Sequence, residues 1–158
     1  MRLVFFQDAI KHISRLTRIL RQPRGHALLV GVGGCGKRSL SRLSFFISGM
    51  ECCPLSLRCT SLTEFREELK QVLLRAGMSG EEQVGFLITD TQLKSEFLED
   101  LNCLLDSGQV PNLLQQDDID MILEDLRPIL QAHQMEETFT ACKELFTQRV
   151  QQNLHILL

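Results

Sequence analysis

The chain has 158 residues, of which 44% are hydrophobic and 23% are charged, with a formal net charge of −3. This composition excludes a disordered or collagen-like chain and favours one globular domain with a substantial core. The slight acidic excess excludes long-range attraction to nucleic acid or anionic lipid, so we expect neither as a partner.

The apolar stretches are short. Ala27 to Val32, among the longest, falls well below the roughly 20 residues that cross a bilayer. The N-terminal apolar run breaks at Gln7 and Asp8, before it reaches the length of a signal peptide. We therefore expect a cytosolic chain without a membrane segment. The six cysteines form no CxxC pair and the four histidines lack ligand spacing, which favours reduced thiols over a metal cluster.

The first half of the chain alternates between helical and strand patterns. Isoleucine and leucine recur at helical spacing from Asp8 until Pro23, which predicts an amphipathic helix. The wholly apolar run Ala27–Val30 predicts a strand that is buried on both faces. A cluster of glycines follows this run, and the helical spacing then returns at Ser39 and lasts until Gly49.

A second strand is predicted over Pro54–Leu57. The residues from Ser61 to Glu64 form a capping box, which predicts the start of a helix that Gly77 would close. Val84–Ile88 is another apolar run and predicts a third strand.

The C-terminal half continues the alternation, and its apolar spacing predicts a helix from Phe97 to about Gly108. The remaining predicted elements are a helix led by Asp117, Asp118 and Asp120 and kinked at Pro128, a helix over Phe139–Val150, and a fourth strand over Leu154–Leu158. Strands that alternate with helices predict an α/β fold, with a parallel sheet covered by helices on both faces. We expect one domain, residues 1–158, with an N-terminal helical segment (1–26) and an α/β core (27–158).

The glycine cluster fits a phosphate-binding loop of the Walker A type. In this motif, glycines let consecutive backbone N–H groups surround phosphate oxygens, and a lysine adds a mobile positive charge. The next helix presents the positive end of its dipole to the same anion. The residues predicted to bind the phosphates of a nucleotide are Gly31, Gly33, Gly34, Cys35, Gly36, Lys37, Arg38 and Ser39.

One position departs from the motif. Arg38 stands where a hydroxyl side chain normally ligates Mg²⁺, and the hydroxyl of Ser39 comes one residue late. Since a helix turns about 100° per residue, Ser39 does not simply take that place. Magnesium coordination is therefore in doubt, whereas the cradle for phosphate is not.

The glycines also satisfy the dinucleotide-binding fingerprint Gly31-x-Gly33-x-x-Gly36. A Rossmann domain would place an acidic residue after the second strand to bind the ribose. The sequence instead has Arg58 there, a residue suited to a 2′-phosphate. This leaves the Rossmann fold as an alternative that is less favoured than the phosphate loop.

The third predicted strand ends at Asp90, as in a Walker B motif whose aspartate organises the water shell of Mg²⁺. The alternative is that Asp90 caps a helix that begins near Leu93. In many P-loop ATPases with this arrangement a glutamate comes next, but here Thr91 follows, and a threonine hydroxyl does not accept a proton near neutral pH. We therefore expect hydrolysis to be slow or absent, with no catalytic residue assigned.

Longer stretches of the sequence resemble axonemal dynein heavy chains, specifically the fourth AAA+ module of the motor. The resemblance covers nearly the whole chain, and its matched stretches are Leu29–Leu43, Phe45–Gly49, Phe86–Gln92, Phe97–Asn102 and Ser107–Leu113. It implies a three-layer P-loop NTPase fold of the AAA+ type, truncated at the fourth strand and without the fifth strand and the helical lid.

The resemblance also implies a function. It implies ATP or ADP bound at Gly31–Ser39, Mg²⁺ at Asp90, and an adenine pocket near Leu3, Val4 and Phe5. The implied partners are the nucleotide, neighbouring AAA+ modules and other dynein subunits. The implied location is the cytoplasm, the cytoskeleton and the axoneme of a cilium.

Three functional hypotheses remain open. The first is a regulatory ATP-binding module of a dynein heavy chain. The second is a non-catalytic interaction or structural fragment whose loop no longer binds nucleotide. The third, a self-standing P-loop enzyme such as a small kinase, ranks last because the sequence offers no identifiable acceptor site.

The remaining polar side chains have simpler interpretations. Cys35 either faces the positive field of the loop as a reactive thiol or lies beneath the loop, buried and inert. Cys52 and Cys53 are expected to pack within a strand. We expect all four histidines to be surface or partly buried residues: His12, His26, His133 and His155.

Overall fold

The computed structural model describes residues 6–78, 80, 82–132 and 138–158. The described residues form an α/β fold with these elements in chain order: α1 (Gln7–Leu20), α2 (Lys37–Ile47), β1 (Glu51–Pro54), α3 (Leu62–Met78), β2 (Val84–Leu87), a 3₁₀ turn (Ser95–Phe97), α4 (Leu98–Ser107), α5 (Gln116–Ala132), α6 (Phe139–Asn153) and β3 (Leu154–Leu157). Within this part of the chain, no helix has both the length and the apolar character that a bilayer crossing requires.

The sheet is parallel and has the order β1-β2-β3. The segment before the glycine loop runs beside β3, because Ala27 N–H donates to Ile156 O (3.0 Å) and Leu29 N–H donates to Leu158 O (2.8 Å). Both β3 and β2 therefore separate this segment from β1. A Rossmann sheet has its first two strands side by side, so this order contradicts the Rossmann alternative and agrees with a P-loop fold.

The predicted first strand, Ala27–Val30, is reduced to a single β-bridge at Ala27, and its predicted burial on both faces is wrong. Leu28 is 67% exposed and Val30 is 89% exposed. In the described part of the chain, this segment is hydrogen-bonded on its β3 side only. An apolar run shows that a segment can be buried, but the number of its neighbours is set by distant parts of the chain.

The second strand lies three residues earlier than predicted, at Glu51–Pro54 instead of Pro54–Leu57. Its register is fixed by β2, because Glu51 pairs with Val84 and Pro54 pairs with Leu87. Past the end of the strand, Leu57 is 73% exposed. The pairing with a buried neighbour thus outweighs local apolarity in setting the bounds of this strand.

The capping box at the start of α3 is confirmed. Glu64 N–H donates to Ser61 Oγ (3.2 Å), and Ser61 N–H donates to Glu64 Oε2 (3.1 Å). Gly77 does not end this helix as predicted, because α3 continues to Met78 and Gly77 lies inside it. A Cβ on Gly77 would lie 2.2 Å from the Phe146 ring, so this glycine allows α3 and α6 to pack closely.

The later elements follow the sequence prediction closely. Gly108 ends α4 with a φ of +74°, a left-handed conformation that favours glycine. Pro128 lies inside α5, which continues to Ala132. The last helix, α6, passes directly into β3 without an intervening loop.

Helices cover both faces of the sheet. Side chains alternate along β3, so Leu154 and Ile156 join the larger core beneath α3–α6, while Leu157 joins a smaller core. The smaller core includes Leu20 of α1 and Phe45 of α2, both fully buried. This is the three-layer arrangement that the sequence predicted.

We expect Gly85→Ala to destabilise the fold by about 1–3 kcal/mol, because overpacking forces neighbouring atoms to move. A Cβ on Gly85 would lie 2.4 Å from the ring of Phe45, which is fully buried, so the core would have to adjust around the added methyl group. Urea unfolding measures the effect. Gly80→Ala is the matched control, since nothing lies within 4 Å of its added Cβ, and an equal effect of both substitutions would contradict the prediction.

Candidate phosphate-binding site

The glycine loop opens into a cavity of about 580 Å³ at the carboxyl end of the sheet. Besides the loop and the first turn of α2, the end of β2 and the residues after it line this cavity, including Ile88, Thr89 and Asp90. A cavity of this size and position is typical of ligand sites in parallel α/β proteins. The two predicted nucleotide motifs, which lie more than 50 residues apart in the sequence, thus meet at one place.

The loop has the backbone conformation that the glycines were predicted to provide. Gly34 has a φ of +79° and Gly36 has a φ of +88°, which L side chains rarely adopt. Nothing lies within 4 Å of a Cβ added at Gly33, Gly34 or Gly36, so the backbone on this side is open to a ligand. Gly36 directly precedes α2, whose free N–H groups and dipole face the cavity.

Lys37 joins the loop to the end of β2. Its ammonium donates hydrogen bonds to the carbonyl oxygens of Gly31 (2.6 Å) and Val32 (3.2 Å). The same Nζ lies 3.8 Å from Asp90 Oδ2. The side chain of Lys37 is 23% exposed and that of Asp90 is 70% exposed, so this ion pair is open to solvent and its ammonium is free to exchange partners.

Asp90 is not a helix cap. Its Oδ1 accepts a hydrogen bond from the backbone N–H of Thr91 (3.0 Å), and the next helical turn begins only at Ser95, with Lys94 in the capping position. The carboxylate therefore faces the cavity and Lys37 instead of a helix. This position contradicts the helix-cap alternative.

Gln92 is a structural residue of the site that sequence reasoning did not single out. It is 8% exposed, and its amide donates to Leu55 O (2.7 Å). Its Oε1 accepts from the hydroxyl of Thr89 (2.6 Å). These bonds fasten the end of β2 to the chain beyond β1 and thereby position Asp90. A glutamine two residues after an acidic strand end is the only local signal for this role.

Arg38 and Ser39 both line the cavity. In the described ranges, Arg38 is exposed and forms no hydrogen bond or ion pair. Among the described residues that line the cavity, Asp90 has the one side-chain carboxylate, and Lys37 lies 3.8 Å from it. Magnesium in nucleotide sites is held by one or two carboxylates together with phosphate oxygens, and Asp90 supplies one. The positive charge of Arg38, which stands in place of the usual hydroxyl ligand, opposes a cation there, so the residues present disfavour a resident Mg²⁺ ion. The role predicted for Asp90 in magnesium binding stays a prediction.

The histidines differ from the sequence prediction in one case. His155, expected at or near the surface, is fully buried in β3, where its Nδ1 lies 3.0 Å from Gly25 O. A strand position that faces the smaller core explains the burial. His12 is exposed and His26 is partly buried, as predicted, whereas His133 lies outside the described residues.

The cysteines of β1 are partly buried, in line with the packing role expected for Cys52 and Cys53. Cys35 is exposed, so the alternative in which it is buried beneath the loop is wrong. Its Sγ lies 3.1 Å from a Cβ built on Gly31, at the mouth of the loop. The predicted adenine-pocket residues Leu3, Val4 and Phe5 lie outside the described residues.

We expect Cys35 to react with an alkylating reagent faster than Cys59 and Cys142, because those two thiols are buried. We also expect ATP to slow the reaction, since bound phosphates would cover the loop. Mass spectrometry of labelled peptides, with and without ATP, measures both effects. Cys103, which lies outside the cavity, is the internal control; if ATP slowed its labelling as much as that of Cys35, protection at the loop would be contradicted.

Comparison with known proteins gives the family. The family model described as "P-loop containing dynein motor region D4" matches residues 1–158. The dynein-1-beta heavy chain of the flagellar inner arm I1 complex of Chlamydomonas reinhardtii is 45% identical over 160 residues, and human dynein axonemal heavy chain 6 is 44% identical over 165 residues. Mouse dynein axonemal heavy chain 1 is 42% identical over 160 residues.

These alignments cover 100% of this chain but only 4% of each relative. The match therefore concerns one region of the dynein motor and not a whole heavy chain. It includes the glycine loop, Lys37 and Asp90, which the fold brings together at one cavity. The chain belongs to the family of P-loop-containing dynein motor regions D4.

Proposed function

We propose that this chain is a nucleotide-binding regulatory module of a dynein heavy chain, corresponding to the fourth AAA+ module of the motor. The observation that carries the proposal is the open glycine loop with Lys37 facing Asp90 across one cavity. The ligand is ATP or ADP, bound through its phosphates at Gly31–Ser39.

The contacts of Lys37 explain how a phosphate would enter. The ammonium of Lys37 donates hydrogen bonds to the carbonyl oxygens of Gly31 and Val32, and a phosphate would need the same N–H donors. A charged phosphate oxygen is a stronger acceptor than a neutral carbonyl, so the lysine exchanges carbonyls for phosphate. The N–H groups of the loop and of the first turn of α2 then surround the same anion.

The residues that follow β2 favour binding over hydrolysis. The hydroxyl of Thr91 lies 3.2 Å from that of Thr89, and neither group accepts a proton from water near neutral pH. Among the described residues that line the cavity, Asp90 has the one carboxylate, and the ammonium of Lys37 lies beside it. Without a general base, the reaction loses a factor of about 10²–10⁴. We propose that the bound nucleotide acts by stabilising the module, with slow or absent turnover.

The names of the relatives support a location in the axoneme of cilia or flagella, as part of the cytoskeleton. The proposed protein partners are neighbouring AAA+ modules and other dynein subunits. Exposed apolar side chains beside the loop are consistent with a covered surface in a larger chain, since Leu28, Val30 and Val32 are 67%, 89% and 77% exposed.

Chemical unfolding with and without nucleotide tests this proposal. ATP or ADP at 100 times its dissociation constant should raise the free energy of unfolding by about 2.7 kcal/mol. Adenosine is the matched ligand control, since it lacks the phosphates that the loop would bind. If neither ATP nor ADP raises stability at millimolar concentration, the proposal is wrong and the structural-fragment hypothesis is favoured. Steady phosphate release above about 1 s⁻¹ would contradict slow hydrolysis.

A further inference from the structure

The cavity at the glycine loop has an excess of positive charge. Its described lining residues include two cations, Lys37 and Arg38, and one anion, Asp90. Lys37 lies 3.8 Å from Asp90, which balances that pair. Arg38 has no hydrogen-bond or ion-pair partner in the described part of the chain, so its charge is left uncompensated.

The position of Arg38 places this charge beside the phosphate cradle. It is the second residue of α2, directly after Lys37 and two residues after Gly36. Its charge also reaches β1: burial raises the pKa of the Cys52 thiol, and the positive charges of Arg42 and Arg38 oppose that rise. Arg38 thus lines the loop cavity and occupies the chain position, directly after the lysine, at which a Walker motif has its metal-ligating hydroxyl.

Arg42 provides a natural comparison. It lies one turn further along α2, it is also exposed, and it too influences Cys52. However, Arg42 lines a different cavity, together with Phe46, Met50 and Pro54. The two arginines therefore differ in whether they face the glycine loop.

We propose that Arg38 replaces magnesium in this site and that the chain binds the metal-free form of the nucleotide. This inference rests on the proposed nucleotide-binding function. A guanidinium is always charged, and its planar set of donors matches two oxygens of a phosphate group. It therefore supplies positive charge where other P-loops require a metal ion. A magnesium ion at the same place would be repelled by the uncompensated charge of Arg38.

Isothermal titration of ATP into the purified chain tests the proposal, in buffers of equal ionic strength that contain either excess Mg²⁺ or EDTA. Three proteins are compared: the wild type, Arg38→Thr and Arg42→Thr. For the wild type and for Arg42→Thr, we expect ATP affinities in the two buffers to agree within about threefold. For Arg38→Thr, we expect affinity in EDTA to fall by about 10- to 100-fold, the usual effect of losing a charge-assisted contact.

Arg38→Thr also restores the hydroxyl of the Walker motif, so Mg²⁺ should recover part of its lost affinity. That recovery would show that the variant is folded, and circular dichroism provides a second check. A wild type that loses more than tenfold in affinity when Mg²⁺ is removed overturns this inference but leaves the proposed nucleotide binding intact. An equal loss of ATP affinity in Arg38→Thr and Arg42→Thr also overturns it, because the effect would then come from the net charge of α2 and not from the position of Arg38. Absence of ATP binding in both buffers overturns both proposals.

Discussion

Replacing Lys37 with alanine is expected to weaken ATP binding by about 1.5–3 kcal/mol, which corresponds to about 10- to 150-fold in the dissociation constant. The substitution removes a charge-assisted contact to phosphate. Part of the free energy of that contact is offset in the wild type, because the ammonium must first give up its hydrogen bonds to the carbonyls of Gly31 and Val32. Charged phosphate is the stronger acceptor, so the net effect remains a loss of affinity. Isothermal titration measures it.

The same substitution should change the free energy of unfolding by less than about 1 kcal/mol, since the hydrogen bonds of Lys37 lie in an exposed loop. Lys11→Ala is the matched control, because Lys11 is an exposed lysine on α1 whose ion pair is with Asp8. Equal ATP affinity in the wild type and in Lys37→Ala would contradict the assignment of the phosphate loop. A parallel loss in Lys11→Ala would indicate a nonspecific charge effect.

The fold should lose stability as the pH falls from about 6.5 to about 4, because two histidines are held in their neutral form. Burial, with smaller contributions from the charges of His155 and Arg24, lowers the pKa of His26 to about 4. A folded-state pKa below the unfolded value means that protons bind the unfolded chain more tightly. The contribution of neutral His26 to the stability of the fold is thus complete above pH 6.5 and is lost as the pH falls toward 4. For His26, which is partly buried, we expect a loss of about 2 kcal/mol.

Hydrogen bonding gives the physical reason for this pH dependence. Ile156 N–H donates to His26 Nδ1 (3.0 Å), so protonation of that nitrogen breaks the bond and brings two donors together. His155 Nδ1 lies 3.0 Å from Gly25 O, which requires Nδ1 to be the protonated nitrogen. Protonation would then fall on its Nε2, which is buried without a hydrogen-bond partner among the described residues. Burial accordingly lowers the pKa of His155 as well.

Urea unfolding at pH 7.5, 6, 5 and 4.5 measures the effect. His26→Asn keeps a hydrogen-bond acceptor near Ile156 but does not titrate, so its stability should fall less steeply than that of the wild type. His12→Asn is the control, because His12 is exposed on α1. The two variants should therefore differ in slope, and identical pH profiles for all three proteins would refute the role of His26.

Much of the fold follows from local signals in the sequence. Helical spacing and caps predict α1, α4 and α6, and the capping box at Ser61 begins α3 as expected, since these features depend on residues a few positions apart. The strands beside β2 are less predictable. The register with Val84–Leu87 moves β1 to Glu51–Pro54, and the single neighbouring strand leaves Val30 exposed. Such pairings are made between distant parts of the chain.

The residues of the candidate site also fall into two groups, those that local sequence predicts and those that only the fold reveals. Gly34, Gly36 and Lys37 are predictable because their spacing encodes the loop conformation that phosphate binding requires. The sequence also indicates Asp90, but only the fold shows its ion-pair distance to Lys37. Gln92 was not predicted as a structural residue, because its partner Leu55 lies 37 residues away and a glutamine has no distinctive spacing of its own.

The direct passage of α6 into β3 has a mechanical consequence. One edge of β3 holds the segment before the glycine loop through Ala27, and its other edge holds the end of β2, where Ile88 N–H donates to Leu157 O (3.0 Å). Because no loop between α6 and β3 can absorb a displacement, a force along the axis of α6 would act on both the segment before the glycine loop and the end of β2. Force applied at this helix is therefore expected to change the distance between Lys37 and Asp90 and, with it, the proposed affinity for nucleotide.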